Sequence, residues 1–144
     1  MTRYATGEAA LWSSPTKRIS GISKASVASD AGVVGSEIAG DDELSQRVDI
    51  SLSWQFSIAP TAGKQLLLYL QFQSDDNATW EDGDAATQPI TRLIGSVDVA
   101  ADDRWHHAVF PLIEIPPRPF RFIVWNDGTG QTATVTLDIE IYSD

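Results

Sequence analysis

The sequence predicts an all-β fold: an antiparallel β-sandwich, jelly-roll-like as first choice and an immunoglobulin-like Greek key as second, with an extended N-terminal arm. Three observations lead there. Ile50, Leu52, Trp54, Phe56 and Ile58 alternate with Ser51, Ser53, Gln55 and Ser57, and Val135, Leu137, Ile139 and Ile141 alternate with Thr134, Thr136, Asp138 and Glu140. Period-two alternation bounded by turn residues marks a strand with one buried and one wet face. No stretch carries a helical period and nothing repeats; instead, roughly seven to nine short apolar runs are separated by polar turns, the pattern of a sandwich or barrel.

Taken in order, residues 1–30 are rich in Ser, Ala, Thr and Gly, and their apolar residues keep no period. They read as an extended arm with one short strand near residues 4–12, burying too little by itself to offset chain entropy. Residues 31–144 then form a single sandwich domain. Its first apolar piece is 33–38, and the acidic cluster Asp41, Asp42, Glu43 opens a single helical turn over 41–46. A half-buried strand follows over 49–58, closed by the Pro- and Gly-bearing turn 59–63.

In 65–73, Leu66, Leu68, Leu70 and Phe72 share one face while Leu67 and Tyr69 begin the other, which predicts a central strand covered on both sides. A long polar loop spans 74–88. Strands are predicted over 90–99 and 105–112. Pro116, Pro117 and Pro119 must break any ladder, because proline supplies no backbone donor. Runs 120–125 and 132–142 close the domain, and Trp54 and Trp125 fall in register with buried faces.

Composition limits function. The 144 residues are 42% hydrophobic, ordinary for a globular domain, and contain no cysteine, so disulfides, zinc–thiolate sites and thiol nucleophiles are excluded. The first residues lack the apolar core of a signal peptide, and the longest strongly apolar run, 66–70, is too short to cross a bilayer. A soluble protein released into the cytoplasm of the cell that makes it is expected, with no membrane partner. The net charge of −10 is unevenly placed: residues 1–29 carry Arg3, Lys17, Arg18 and Lys24 against Glu8 alone, while the rest carries six basic and nineteen acidic side chains. An acidic body repels phosphate backbones, so no direct nucleic-acid contact is expected.

The best candidate for a ligand or cation site is the acidic loop, through Asp75, Asp76, Trp80, Glu81, Asp82 and Asp84. Calcium takes clustered carboxylate oxygens, but the EF-hand spacing fails, since Ala78 and Trp80 stand at the third and fifth positions from Asp76. A solvated hairpin loop turning at Asp82-Gly83 is the competing reading. His106 and His107 are adjacent on a strand, so they face opposite ways and cannot share a metal. No nucleophile elbow or phosphate loop is present, and no carboxylate pair is marked as buried. The expectation is no enzyme, no metal and no cofactor. Trp80 and Trp105 occupy loop positions where an exposed ring could stack on sugar, which keeps a carbohydrate-binding module as an alternative.

Two segments carry a resemblance. One is the strand and loop Leu-Leu-Leu-Tyr-Leu-Gln-Phe-Gln-Ser-Asp-Asp-Asn-Ala-Thr-Trp-Glu-Asp-Gly-Asp over 66–84; the other is Ile-Pro-Pro-x-x-Phe-Arg-Phe-x-Val-x-Asn-Asp-x-x-Gly-Gln over 115–131 with its closing strand. In that order they resemble small β-sandwich virion structural proteins of tailed bacteriophages, over roughly residues 65–142. The resemblance implies a non-enzymatic virion component, a capsid decoration or cement protein or one associated with neck or tail, made in the host bacterial cytoplasm. Its partners would be major capsid or neck and tail proteins and further copies of itself. On that reading the basic arm makes the assembly contacts, through Arg3, Leu11, Trp12, Lys17, Arg18 and Lys24.

Overall fold

The computed structural model describes residues 17–40, 45–74 and 79–142. Eight strands run through them: β1 Lys17–Val27, β2 Ala31–Val34, β3 Gln46–Phe56, β4 Gln65–Phe72, β5 Leu93–Asp98, β6 His106–Ile115, β7 Phe120–Asp127 and β8 Ala133–Tyr142. They form two four-stranded sheets, ordered β1-β8-β3-β6 and β2-β7-β4-β5, with every pairing antiparallel. β1 pairs β8, β2 pairs β7, β3 pairs β6 and β4 pairs β5, so the chain behaves as one long hairpin folded back between β4 and β5. Rolling that hairpin also brings β8 against β3 and β7 against β4. This nesting is the jelly roll, and the immunoglobulin order is not the one observed.

The alternations locate the core. Ile50, Leu52, Trp54 and Phe56 of β3 and Val135, Leu137, Ile139 and Ile141 of β8 face Leu66, Leu68, Leu70 and Phe72 of β4 and Phe122 and Val124 of β7, all buried. Burial on this scale is the main stabilising term, at about 25 cal/mol for each Å² of apolar surface removed from water. β4 is covered on both sides, as its sequence requires. Its second face carries Leu67 and Tyr69, which with Ile123 and Trp125 of β7 make a smaller apolar cluster outside the second sheet. Gly32 of β2 lets the backbone lie against the Trp125 ring, where an added Cβ would stand 2.8 Å from the ring carbon Cε3.

The N-terminal boundary differs from the sequence reading. Residues 17–27, assigned to the arm by that reading, belong to the sandwich as β1, which is an edge strand among the described residues. Its alternation is hidden by irregularity: the register against β8 shifts between Ser20 and Ile22 and again between Ile22 and Ala25, and Lys24 takes a left-handed φ of 42°. Bulges insert residues that do not keep the period of two. The strand predicted near 4–12 lies outside the described residues, as do residues 41–44 of the predicted helical turn; Gln46, its last residue, opens β3 instead.

Candidate functional site in the loop between β4 and β5

β4 runs into a short hairpin. Ser74 N donates to Thr79 O at 2.7 Å, and Gln73 bridges Trp80, which sets the Trp80 ring beside the end of the strand. Glu81 comes next and turns inward: its Oε1 accepts Phe72 N at 2.9 Å, and its carboxylate accepts both contacts of Arg92 Nε, at 2.9 and 3.1 Å. The loop then folds over the outside of the second sheet around Gln71. This side chain is fully buried, with Nε2 at 3.0, 3.1 and 3.1 Å from the carbonyls of Glu81, Asp82 and Gly83 and Oε1 accepting Arg121 Nε at 2.8 Å. Buried amides must be satisfied, and here satisfaction curls three loop residues around one side chain. Gly32 N donating to Ala85 O and Gln88 Nε2 donating to the Tyr69 hydroxyl, each at 2.9 Å, hold the rest of the loop down over the outer apolar cluster.

The electrostatics of this region are set by arginine. The Arg92 guanidinium lies 4.7 Å over the Phe72 ring, Arg118 lies 5.6 Å from the same ring, and Arg121 lies 4.4 Å over Trp80. Partial burial lowers the Arg121 pKa from its ordinary value, against which Glu37 and Asp84 act. Asp84 Oδ1 accepts Ala86 N and Thr87 N, both at 2.8 Å, and these backbone donors hold its pKa below the usual carboxylate range. Between the hairpin and the start of β5 lies an open cleft of about 190 Å³, lined in part by Phe72, Trp80, Glu81, Arg92 and Arg118.

Measured against the expected cation loop, the structure divides the residues. Asp75 and Asp76 lie outside the described residues. Glu81 is consumed by Arg92 and the Phe72 amide, Asp84 caps its own turn, and Asp82 is exposed, contributing its carbonyl to Gln71. Among the described residues no group of three or more His, Asp or Glu side chains is placed to hold a metal ion. Arg92, Arg118 and Arg121, which gather here from two distant segments, escaped sequence reasoning. One signal existed: Arg121 stands between the inward Phe120 and Phe122, so it must point outward from β7 beside Gln71.

Other candidates fall elsewhere. Arg3, Leu11 and Trp12 are outside the described residues, while Lys17, Arg18 and Lys24 are exposed on β1, where Arg18 makes a long contact of 3.9 Å to Glu140. His106 turns inward to stack on Trp54, with ring centroids 5.7 Å apart, and its Nε2 lies 2.7 Å from Asp102 Oδ1. His107 turns outward, its Nδ1 3.2 Å from Ser53 Oγ. It borders a polar groove of about 360 Å³ across the first sheet, with Arg18, Ser20, Ser51, Asp138 and Glu140. The Asn-x-x-Gly-Gln segment is a structural clamp: buried Asn126 donates from Nδ2 to Val27 O at 3.0 Å and Gln131 O at 2.8 Å and accepts the Thr129 hydroxyl at 2.6 Å, tying the β7–β8 turn to the end of β1.

Comparison with known proteins bears on the fold. No protein-family model matches the chain, and no curated protein matches it. Among solved structures, infectious bursal disease virus of the Gx strain superposes with a TM-score of 0.54 at 14% identity, over 88% of this chain and 31% of that one. The VP2 subviral particle of infectious bursal disease virus gives 0.54 at 12% identity, over 87% and 31%, and the Gt strain gives 0.51 at 12%, over 88% and 31%. The chain therefore spans about a third of the length of these neighbours. At such identities the likeness is one of fold: a β-sandwich that viral particle proteins also use. These neighbours come from infectious bursal disease virus and not from a tailed bacteriophage.

Proposed function

We propose that this chain is a non-enzymatic structural component of a tailed-bacteriophage virion, a capsid decoration or cement protein that docks through its N-terminal residues. The observation that carries the reading is the nested strand order, β1-β8-β3-β6 over β2-β7-β4-β5, in a fold with a likeness to virus-particle chains. β1 adds a reason for placing the contacts at the N-terminal side. It is an edge strand, it carries Lys17, Arg18 and Lys24 exposed, and it belongs to a chain whose remaining body is acidic. Basic side chains on an edge discourage indiscriminate strand pairing and select an acidic neighbour.

The reading is tested by mass spectrometry of purified particles, counting this chain against the major capsid protein. A copy number comparable to the capsid subunit is expected; a small number would move the protein to neck or tail, and absence from particles would overturn the reading. A truncation removing residues 1–16 keeps all eight described strands, whereas one reaching residue 24 would strip most of β1 from β8. The shorter truncation is expected to fold and to be lost from particles, and normal incorporation would refute docking through the segment before β1.

A further inference from the structure

We propose that the free edge of β6 is a self-recognition surface: two copies of this chain pair antiparallel through residues 106–110 and join their first sheets into one continuous sheet. The inference is independent of the virion reading. It begins with an inventory of edges. An edge strand presents a row of backbone N–H and C=O groups to any other strand, and proteins blunt the edges they do not use. Three of the four edges here are blunted. β1 carries Lys17, Arg18 and Lys24, and two register shifts make it irregular. β2 has only four residues, and its Gly32 N already donates to Ala85 O of the β4–β5 loop. β5 has six residues, a register shift beside Leu93 and Asp98 at its end.

β6 is different. Residues 105–113 contain no Asp, Glu, Lys or Arg, in a chain of net charge −10. From His106 to Phe110 the register against β3 is unbroken, running from Trp54 to Ile50, so this part of the edge is regular. Pro111 and the register shift at Asp49 end the regular stretch. Among the described residues no strand covers the other side of β6. Its outer face is also apolar. Val109 and His107 pair with the outward Ser51 and Ser53, and the period of two adds Trp105 and Pro111 to the same stripe. Trp105 and Val109 are 47% and 51% exposed, and His107 and Pro111 are exposed as well. A stripe without charge that carries an aromatic ring has the composition of an interface core.

Charge and pattern choose the occupant. Two acidic copies repel wherever their carboxylates meet, so an edge without charge is where they can approach. A basic partner would be selected by carboxylates and an acidic one by lysines, and residues 105–113 offer neither. The stripe also matches its own reverse. Turned end for end about Ala108, His107 meets Val109 of the second copy and Trp105 meets Pro111, so each ring gains an aliphatic neighbour, and the two-fold axis makes each contact twice. Such an isologous pairing closes on itself and stops at two copies. The regular stretch is short, so the interface is small and the association weak and concentration-dependent.

The test is sedimentation velocity of the full-length chain from about 5 to about 500 μM, a span that brackets weak association, with amide hydrogen exchange measured at both ends of the range. The sedimentation coefficient is expected to rise from monomer toward dimer, and exchange at residues 106–110 to slow roughly threefold or more at the upper concentration. Val109→Lys places a charge on the edge and should weaken association roughly tenfold or more while leaving the core signals unchanged. Trp105→Ser supplies a second variant with the same expectation should Val109→Lys disturb β6. A chain that stays monomeric at the upper concentration, a dimer that both variants leave intact, or slowing at β1 or β5 in place of β6 would each overturn the proposal. Slowing at β6 together with residues 1–16 would overturn it too, because the edge would then belong to that segment of a neighbouring copy.

Discussion

The two sheets of this sandwich have the same number of strands and nested pairing, yet their outer faces are opposites. On the first sheet Thr134, Thr136, Asp138 and Glu140 of β8 lie beside Asp49, Ser51 and Ser53 of β3, and the face stays open to water. On the second, Leu67, Tyr69, Ile123 and Trp125 point outward and are buried, because the β4–β5 loop folds over them and is fastened by Gln71, Gln88 and Gly32. An antiparallel sheet in water needs only one packed face. A second apolar face must be covered, and here the cover is a polar loop held by hydrogen bonds. The architecture thus leaves one sheet as surface and turns the other into a support for the loop that carries the candidate site.

Removing the outer cluster should show the largest contrast. Trp125→Ala is expected to cost about 3–5 kcal/mol, as for other buried large-to-small changes, measured by urea unfolding. Val109→Ala on the open face of β6, where the side chain is 51% exposed, should stay within about 0.5 kcal/mol. Equal effects would mean that the loop does not seal the second face.

Gln71→Leu should come next. It fits a burial-compatible side chain into the same place but leaves the carbonyls of Glu81, Asp82 and Gly83 and the Arg121 guanidinium without the amide that joins them. Unsatisfied buried groups cost about 1–3 kcal/mol each where water cannot reach them. Part of that cost will be relieved by loosening of the loop, so a net loss of about 2 kcal/mol is expected, together with faster amide exchange at residues 81–88. Unchanged exchange there would show that the loop is held by other contacts.

How much of this could be read in the sequence follows the same division. β3 and β8 were legible because each has one wet and one buried face, and alternation records that difference directly. β4 was legible for the opposite reason, since a run apolar on both faces demands cover on both sides. β1 was not, because its bulges place Ile19, Ile22, Ala25 and Val27 inward at uneven spacing. The loop was read as acidic, which its composition supports. Beside it stand Arg92, Arg118 and Arg121, and the rolled hairpin is what brings Arg92 to the other two. Periodicity reports burial within a strand, but it carries no information about which distant residues share one end of the sandwich.

Titration offers the finest separation of the two faces, because each holds a perturbed group of opposite sense. On the covered side, Asp84 is stabilised as a carboxylate by the Ala86 and Thr87 amides, so its contribution is present above pH 3.8 and lost as pH falls through its lowered folded value. Acid should therefore release residues 84–88 first, read as exchange broadening confined to that turn. On the open side, desolvation, with Asp49 and Glu140 close by, raises the Tyr142 phenol from 10.0 to about 12; its hydroxyl donates to Asp49 Oδ2 at 3.1 Å. The fold favours the protonated phenol, so this contribution is complete below pH 10 and disappears as pH rises toward 12. Asp49 and Glu140 are direct cross-strand neighbours of like charge, a pairing that is unfavourable by itself, and the Tyr142 hydroxyl reaches both carboxylates, at 3.1 and 3.5 Å. Tyr142→Phe should therefore destabilise slightly at neutral pH and flatten the alkaline limb, with phenolate absorbance of the wild type appearing late. A phenol that titrates at its ordinary value would place Tyr142 in free solvent and remove its contact with Asp49 from the open face.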